Sequence, residues 1–329
     1  MLGKTSLLAT LALTASVAAI PYDQYILAPS SRTLHPASVY NINGTVNGAE
    51  SIAGEAVGSA TFQGNSAVTY DFGKNIAGLV SLQIGNVDPG QYIGLTYSES
   101  SLWISGDGSD ATQDSGIDEI LWFQLNGPGN YSVDRIHERG GFRYLSLIQN
   151  TTGNTEVEQI TVYFTAQPTV AEDGLRNYTG YFHCDDELLN RIWYAGAYTN
   201  QMCTIDPHYG YSLIHILDTN SSVPGDTVAP WNWYLNTTIF NGTSALVDGA
   251  KRDRLVWPGD LAIGIPSIFA ANNDMDTLKI SMDSLFALQN TTTGMLPYAG
   301  YAGSPFPKIY SPTYHLYNLI DIAYIYLYR

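Results

Sequence analysis

Between Ile20 and Thr165 apolar and polar positions alternate with a period of two, broken at short intervals by turn residues. The segments AVTYDFG (Ala67 to Gly73), LVSLQIG (Leu79 to Gly85), YIGLTYS (Tyr92 to Ser98), ILWFQL (Ile120 to Leu125), RYLSLI (Arg143 to Ile148) and ITVYF (Ile160 to Phe164) each read as a half-buried antiparallel strand. Asp88-Pro89-Gly90 and Gly127-Pro128-Gly129 supply turns between them. Strands of this kind, each with one apolar face, predict a β-sandwich.

After Gln167-Pro168 the period lengthens. In DDELLNRIWYAGAYTNQ, Leu188, Leu189, Ile192, Trp193 and Ala195 fall near one helical face, behind acidic residues that suit a helix N-terminus. A second helix is expected from Asn273, with Leu278, Met282, Leu285 and Phe286 at helical spacing, and another from Pro312 toward Tyr328. With GDLAIGIPSIFAAN between them, roughly four helices are expected. The predicted fold class is multidomain β plus α, with a β-sandwich region over 20–168 and a helical region over 169–329. The closing run YNLIDIAYIYLYR is apolar and uncapped, which predicts that the helical region is the front part of something longer.

Residues 1–19 read as a secretory signal: Lys4, an apolar run from Leu7, and the small-residue exit Val17-Ala18-Ala19. That run is shorter than the roughly 20 residues that span a bilayer. Eight sequons fit an extracellular route, at Asn43, Asn130, Asn150, Asn177, Asn220, Asn236, Asn241 and Asn290. A disulfide between the two cysteines, Cys184 and Cys203, is left open.

Charge narrows the partners. With 14 Lys and Arg against 30 Asp and Glu, a net charge of -16 disfavours nucleic acid and acidic membrane surfaces. Only 13% of residues are charged while 12% are aromatic, a balance that suits a surface offering neutral hydrogen-bonding groups to sugars.

Against that background VDGAKRDRLVWPGDL, Val247 to Leu261, stands out, because Asp248, Asp253 and Asp260 crowd among Lys251, Arg252 and Arg254 and precede Trp257. If the middle is extended, Asp253 and Trp257 share one side and Arg252 and Arg254 the other. Carboxylates beside an aromatic platform are what a glycosidase subsite requires, although a solvated loop of ion pairs has the same composition.

DGAKRDRLVWPGD resembles the D-G-x-K-R-D-R-x-x-W-x-G-D segment of secreted α-L-rhamnosidases of glycoside hydrolase family 78. YDFGKNIAGLVSL (Tyr70 to Leu82), GGFRYLSL (Gly140 to Leu147) and FHCDDELLNRIWYAGAYTNQMCTIDP (Phe182 to Pro207) are similar to other segments of fungal members. The resemblance implies a β-sandwich followed by an (α/α)6 barrel, of which this chain holds the first part, and hydrolysis of terminal α-L-rhamnose with inversion. It places the general acid at Asp253, where many members carry Glu, hydroxyl-binding groups at Asp248, Arg252 and Asp260, and an aromatic wall at Trp257. An inverting enzyme needs a second carboxylate about 6.5 to 9.5 Å away. The family's base is a Glu of later barrel helices, and no position of this chain matches it.

No cofactor is implied. The six histidines show no metal spacing, and Asp107, Asp110 and Asp114 miss the calcium-loop pattern. Trp231 and Trp233 fit either core or sugar stacking. The expected partner is a carbohydrate. The alternatives are a catalytically inactive, truncated carbohydrate-binding relative, and a hydrolase of the same fold acting on another sugar.

Overall fold

The computed structural model describes residues 20–109, 120–210, 238–251, 254–300 and 310–328. The leader, Asp110, Asp114, His215, Asn220, Trp231, Trp233, Asn236, Arg252 and Asp253 lie outside them.

Eight strands form one sheet: β1 (Thr33–Leu34), β2 (Ser38–Asn47), β3 (Ala60–Val87), β4 (Tyr92–Ser98), β5 (Leu121–Gln124), β6 (Gly129–Ser132), β7 (Gly141–Gln149) and β8 (Asn154–Phe164). The segments AVTYDFG and LVSLQIG, expected as separate strands, are both part of the 28-residue β3. Its first half pairs with β2, with most of β7 and with the start of β8, and its second with β6, with β8 and with the start of β7. The start of β8 is held on both sides by β3, Val157 facing Ala60 on one side and Ile84 on the other. The sheet therefore curls into a partly open half-barrel with a sandwich-like core.

The polar run Gly73-Lys74-Asn75 imitates a turn but is a bend within a continuous strand. Gly73 takes a φ of 77°, where other residues are strained. The Asp71 carboxylate fastens the bend, accepting from the Gly73 N–H at 2.6 Å and from Arg143 Nε and Nη2 at 2.8 Å each. Phe62, Val68, Val80, Leu82, Ile93, Leu145 and Val162 close the interior against water.

The helices are α1 (Glu187–Met202), α2 (Pro258–Ala271), α3 (Met275–Phe286) and α4 (Pro312–Tyr328). Asp186 caps α1 by accepting from the Leu188 and Leu189 amides, and Asp274 caps α3 by accepting from Thr277. Trp257 and Tyr314 meet where α2 and α4 begin, and Phe269 stacks on Tyr328 at 4.6 Å where they end. These two helices are therefore parallel, with their N-termini side by side. Such a run of helices after a curled sheet is consistent with the start of an (α/α)6 barrel. Among the described residues, no helix is long and apolar enough to cross a membrane.

One sequence expectation is corrected, and one open question is answered. Leu188, Leu189 and Ile192 of α1 face outward, at 65%, 49% and 55% exposure, while Asn190, Tyr194, Ala197, Tyr198 and Gln201 are buried. The buried polar groups are satisfied: Gln201 Nε2 donates to Gln167 Oε1 and to the Leu175 carbonyl, and Asn190 bonds the Cys184 backbone through both its amide atoms. The large rings of Tyr194 and Tyr198 then fill the seam. The disulfide between Cys184 and Cys203 is absent; both thiols are free. Cys184 precedes α1 and Cys203 follows it, and a helix of that length holds its ends roughly 24 Å apart, beyond the reach of any S–S bond.

Exposed apolar side chains also line α4, among them Leu316, Leu319, Ile320, Tyr326 and Leu327. Together with the outer face of α1 they form apolar surface of the kind that promotes association. The chain of 329 residues is expected to bind a hydrophobic dye strongly or to self-associate. A monodisperse, dye-silent preparation would contradict this.

Candidate functional site

The charged stretch forms a loop closed at its neck. The Asp248 N–H donates to the Leu255 carbonyl at 3.2 Å, and the Leu255 N–H donates to Asp248 Oδ1 at 3.3 Å. Beneath it β10 (Ala245–Leu246) pairs with β9 (Thr204–Ile205), and Val247 continues the contact by donating to the Cys203 carbonyl. Asp248 is thus fixed by its own backbone at the loop base.

The sheet grips the loop from the other side. The Gly141 N–H donates to the Ala250 carbonyl at 2.9 Å, Arg139 Nη1 to the Lys251 carbonyl at 3.4 Å, and Lys251 Nζ lies 3.5 Å from Glu99 Oε2. Gly140 permits this approach, with a φ of 83° and a position where a Cβ would sit 2.2 Å from the Ala250 carbonyl oxygen. Gly140→Ala is expected to cost about 2–4 kcal/mol, because neither backbone can yield. Urea unfolding of the variant measures this, and an unchanged midpoint would show that the loop moves freely.

The extended alternation expected through the loop breaks at Arg254. Its φ is 31°, in the left-handed region, and its side chain is turned inward with 2% exposure. Burial lowers its guanidinium pKa, partly opposed by the charge of Glu138. Arg254 Nε and Nη1 make no hydrogen bond among the described residues. Glu138, itself buried, accepts from Arg135 Nη1 and from the Thr165 hydroxyl. Loop, sheet and helices thus meet over a buried charge cluster, which is costly to disrupt.

Past the loop, Trp257 occupies the N-cap of α2, Pro258 starts the helix, and Asp260 lies in the first turn. The Trp257 ring meets Tyr298 edge-on at 5.1 Å and Tyr314 at 6.0 Å, and the two tyrosine rings are 4.1 Å apart. The Tyr314 hydroxyl is pushed up to about 12, first by burial, then by hydrogen bonding with Tyr298 and by the negative charges of Tyr298 and Asp260. Acidic groups converge here from distant parts of the chain. The buried Cys203 thiol is also pushed up to about 12, by burial first and then by Asp248, with Asp260 and Glu99 adding to the effect.

The structure sets Trp257 against Tyr298 and Tyr314, with Asp260 close enough to act on the Tyr314 hydroxyl, while Asp248 lies at the loop base and its charge reaches Cys203. It adds Glu99, Tyr298 and Tyr314, which sequence reasoning missed. Glu99 follows a strand in TYSESSLW and Tyr298 sits in MLPYAGY, and neither segment carries a pattern that points at the loop. Three aromatic rings beside a carboxylate at a helix N-terminus can stack on a sugar face and bind its hydroxyls.

No family model matches the chain, and no curated protein matches it in sequence. Solved structures do. A rhamnosidase from Klebsiella oxytoca, solved with rhamnose bound, superposes with a TM-score of 0.60 at 16% identity over 93% of this chain. The two chains share a fold. The rhamnosidase of family GH78 from Bacillus sp. GL1 agrees, with a TM-score of 0.53 and 16% identity over 79% of this chain. The chain spans 53% of the length of the first and 21% of the second. At such identity the likeness is one of rhamnosidase architecture, a curled sheet followed by helices of the six-hairpin glycosidase type.

Proposed function

We propose that this chain carries the acid-bearing part of an inverting glycoside hydrolase that releases terminal α-L-rhamnose. The observation that supports the reading is the corner where Trp257 and Asp260 lie beside Tyr298 and Tyr314, next to the loop that Asp248 closes, set in a fold shared with a rhamnosidase that was solved holding rhamnose. Trp257 is the wall against the sugar ring. Asp248, Arg252 and Asp260 bind its hydroxyls, and Asp253 delivers the proton to the leaving oxygen.

A general acid must hold its proton near the working pH, and neighbouring carboxylates raise its pKa for that purpose. The negative field of Asp248, Asp260 and Glu99, felt at Cys203, would act in that sense on an acid carried by this loop. The buried guanidinium of Arg254 opposes it from below. Inversion further requires a carboxylate that activates water on the opposite face of the sugar.

The protein is proposed to be secreted through residues 1–19 and glycosylated. Asn43, Asn130, Asn150, Asn177 and Asn241 are exposed, which supports modification there; Asn290 is half-buried, its Oδ1 accepting from the Thr292 and Thr293 amides. A carbohydrate is the proposed partner.

Incubation with 4-nitrophenyl α-L-rhamnoside, followed by proton NMR, tests the activity. The expected first product is β-L-rhamnose. Tight binding of rhamnosides without turnover would instead indicate a carbohydrate-binding protein, and release of a different sugar would redirect the specificity.

A further inference from the structure

A second cleft, of about 270 Å³, opens beside the sheet and is lined by Arg32, Leu79, Arg135, Tyr163, Thr165 and Pro168. None of these residues belongs to the aromatic corner. Leu79 and Tyr163 are cross-strand partners on β3 and β8, and Thr165 follows Tyr163 on the same side of the chain two residues later. Their alternation partners Val80 and Val162 are buried in the core, so this cleft lies on the outer face of the sheet. Tyr163 is 54% exposed there, a flat platform with no core to fill.

Two guanidinium groups border this platform. Arg32 is almost wholly buried, and its Nη1 and Nη2 donate to the carbonyls of Phe164, Ala166, Gln167 and Val170 at 2.6–3.0 Å. Carbonyl dipoles hold that charge in place without cancelling it. Arg135 gives Nη1 to the buried Glu138 carboxylate, and its planar face lies 4.7 Å from the Tyr209 ring centre. It is thereby fixed in one pose, with its side chain 21% exposed and lining the cleft. Glu138 pairs with Arg135, and Glu172 lies beside Arg32, accepting from its backbone N–H at 2.7 Å, so the local charge is balanced and the fixed pose of Arg135, not a surplus of cations, is what the cleft offers an anion. A pre-positioned guanidinium fork is suited to a carboxylate, and an exposed tyrosine beside Leu79 and Pro168 is suited to the apolar face of a pyranose.

We propose that this cleft binds a carboxylate-bearing sugar, a uronate residue, with its acid group on Arg135 and its ring on Tyr163. The cleft would serve this role whether or not the aromatic corner hydrolyses a glycoside.

Calorimetric titration of the full chain with methyl β-D-glucuronide, using methyl β-D-glucoside as neutral control, tests it. The uronide is expected to bind about tenfold more tightly than the glucoside, the difference that one charge-assisted contact supplies. Because Arg135 also pairs with buried Glu138, its replacement can disturb folding; Tyr163→Ala, at an exposed ring, keeps the test open. That variant is expected to weaken uronide binding about fivefold through loss of ring stacking, with an unchanged melting temperature. Equal binding of the two glycosides, uronide affinity untouched by Tyr163→Ala, or acetate and an acidic peptide binding as tightly as the uronide would each overturn the assignment.

Discussion

Asp253→Asn is expected to lower turnover of rhamnosides with poor leaving groups by about 10²- to 10⁴-fold, the range that a positioned general acid contributes. The amide has no proton of suitable acidity to give, so the leaving alkoxide must depart unprotonated. The loss should be much smaller for a 4-nitrophenyl rhamnoside, whose leaving group is stable as an anion. KM should change little, since Asp248, Asp260 and Trp257, the residues proposed to bind the sugar, are unaltered. Measuring kcat and KM on both substrates checks the assignment. Equal losses on the two would mean that Asp253 binds rather than protonates, and undiminished turnover of the alkyl glycoside would remove it from the mechanism.

Asp321→Asn is expected to stabilise the protein at pH 8 by a few kcal/mol, and far less at pH 4.5. Asp321 lies midway along α4 with no exposed surface, and both its carboxylate oxygens lack a hydrogen-bond partner among the described residues. Burial raises its pKa to about 8. One turn earlier Asn318 Oδ1 is also unpartnered, so the protonated acid offers a donor where an acceptor is waiting.

A pKa raised on folding means that the folded state holds the proton more tightly than the unfolded chain. The resulting stability is fully present below about pH 4, declines as pH rises, and is gone once pH passes the folded value near 8. The slope from this one residue approaches 1.4 kcal/mol per pH unit at most. Urea titrations of both proteins at pH 4.5 and pH 8 isolate it, because other groups cancel in the difference. A variant less stable at pH 8 would mean that the carboxylate is ionised and paired.

Much of the architecture was legible because it is written in short-range periodicity. The period-two segments became strands, and the helix expected from Pro312 toward Tyr328 is present as α4. The helix expected from Asn273 begins two residues later, after a cap by Asp274. The misreadings have a common cause. AVTYDFG and LVSLQIG were expected as separate strands because local composition does not distinguish a chain reversal from a bend after which the same strand resumes its pairing. On α1 the apolar stripe looked like the core face, but Tyr194, Tyr198 and Gln201 had partners on β3, the linker and the segment before the helix.

The candidate site divides along the same line. The sequence by itself determined the net charge that turns polyanions away, the acid and aromatic residues gathered between Asp248 and Asp260, and the glycine at 140 that lets two backbones touch. Each depends only on residue type and near neighbours in the chain. Tertiary structure alone decided that Glu99, Tyr298 and Tyr314 join that segment, that Arg254 turns inward over Glu138, and that Arg32, Arg135 and Tyr163 share a cleft. Those contacts join residues scores of positions apart. Their partners are selected by the curl of one long strand and the parallel packing of two helices, and no local pattern encodes either.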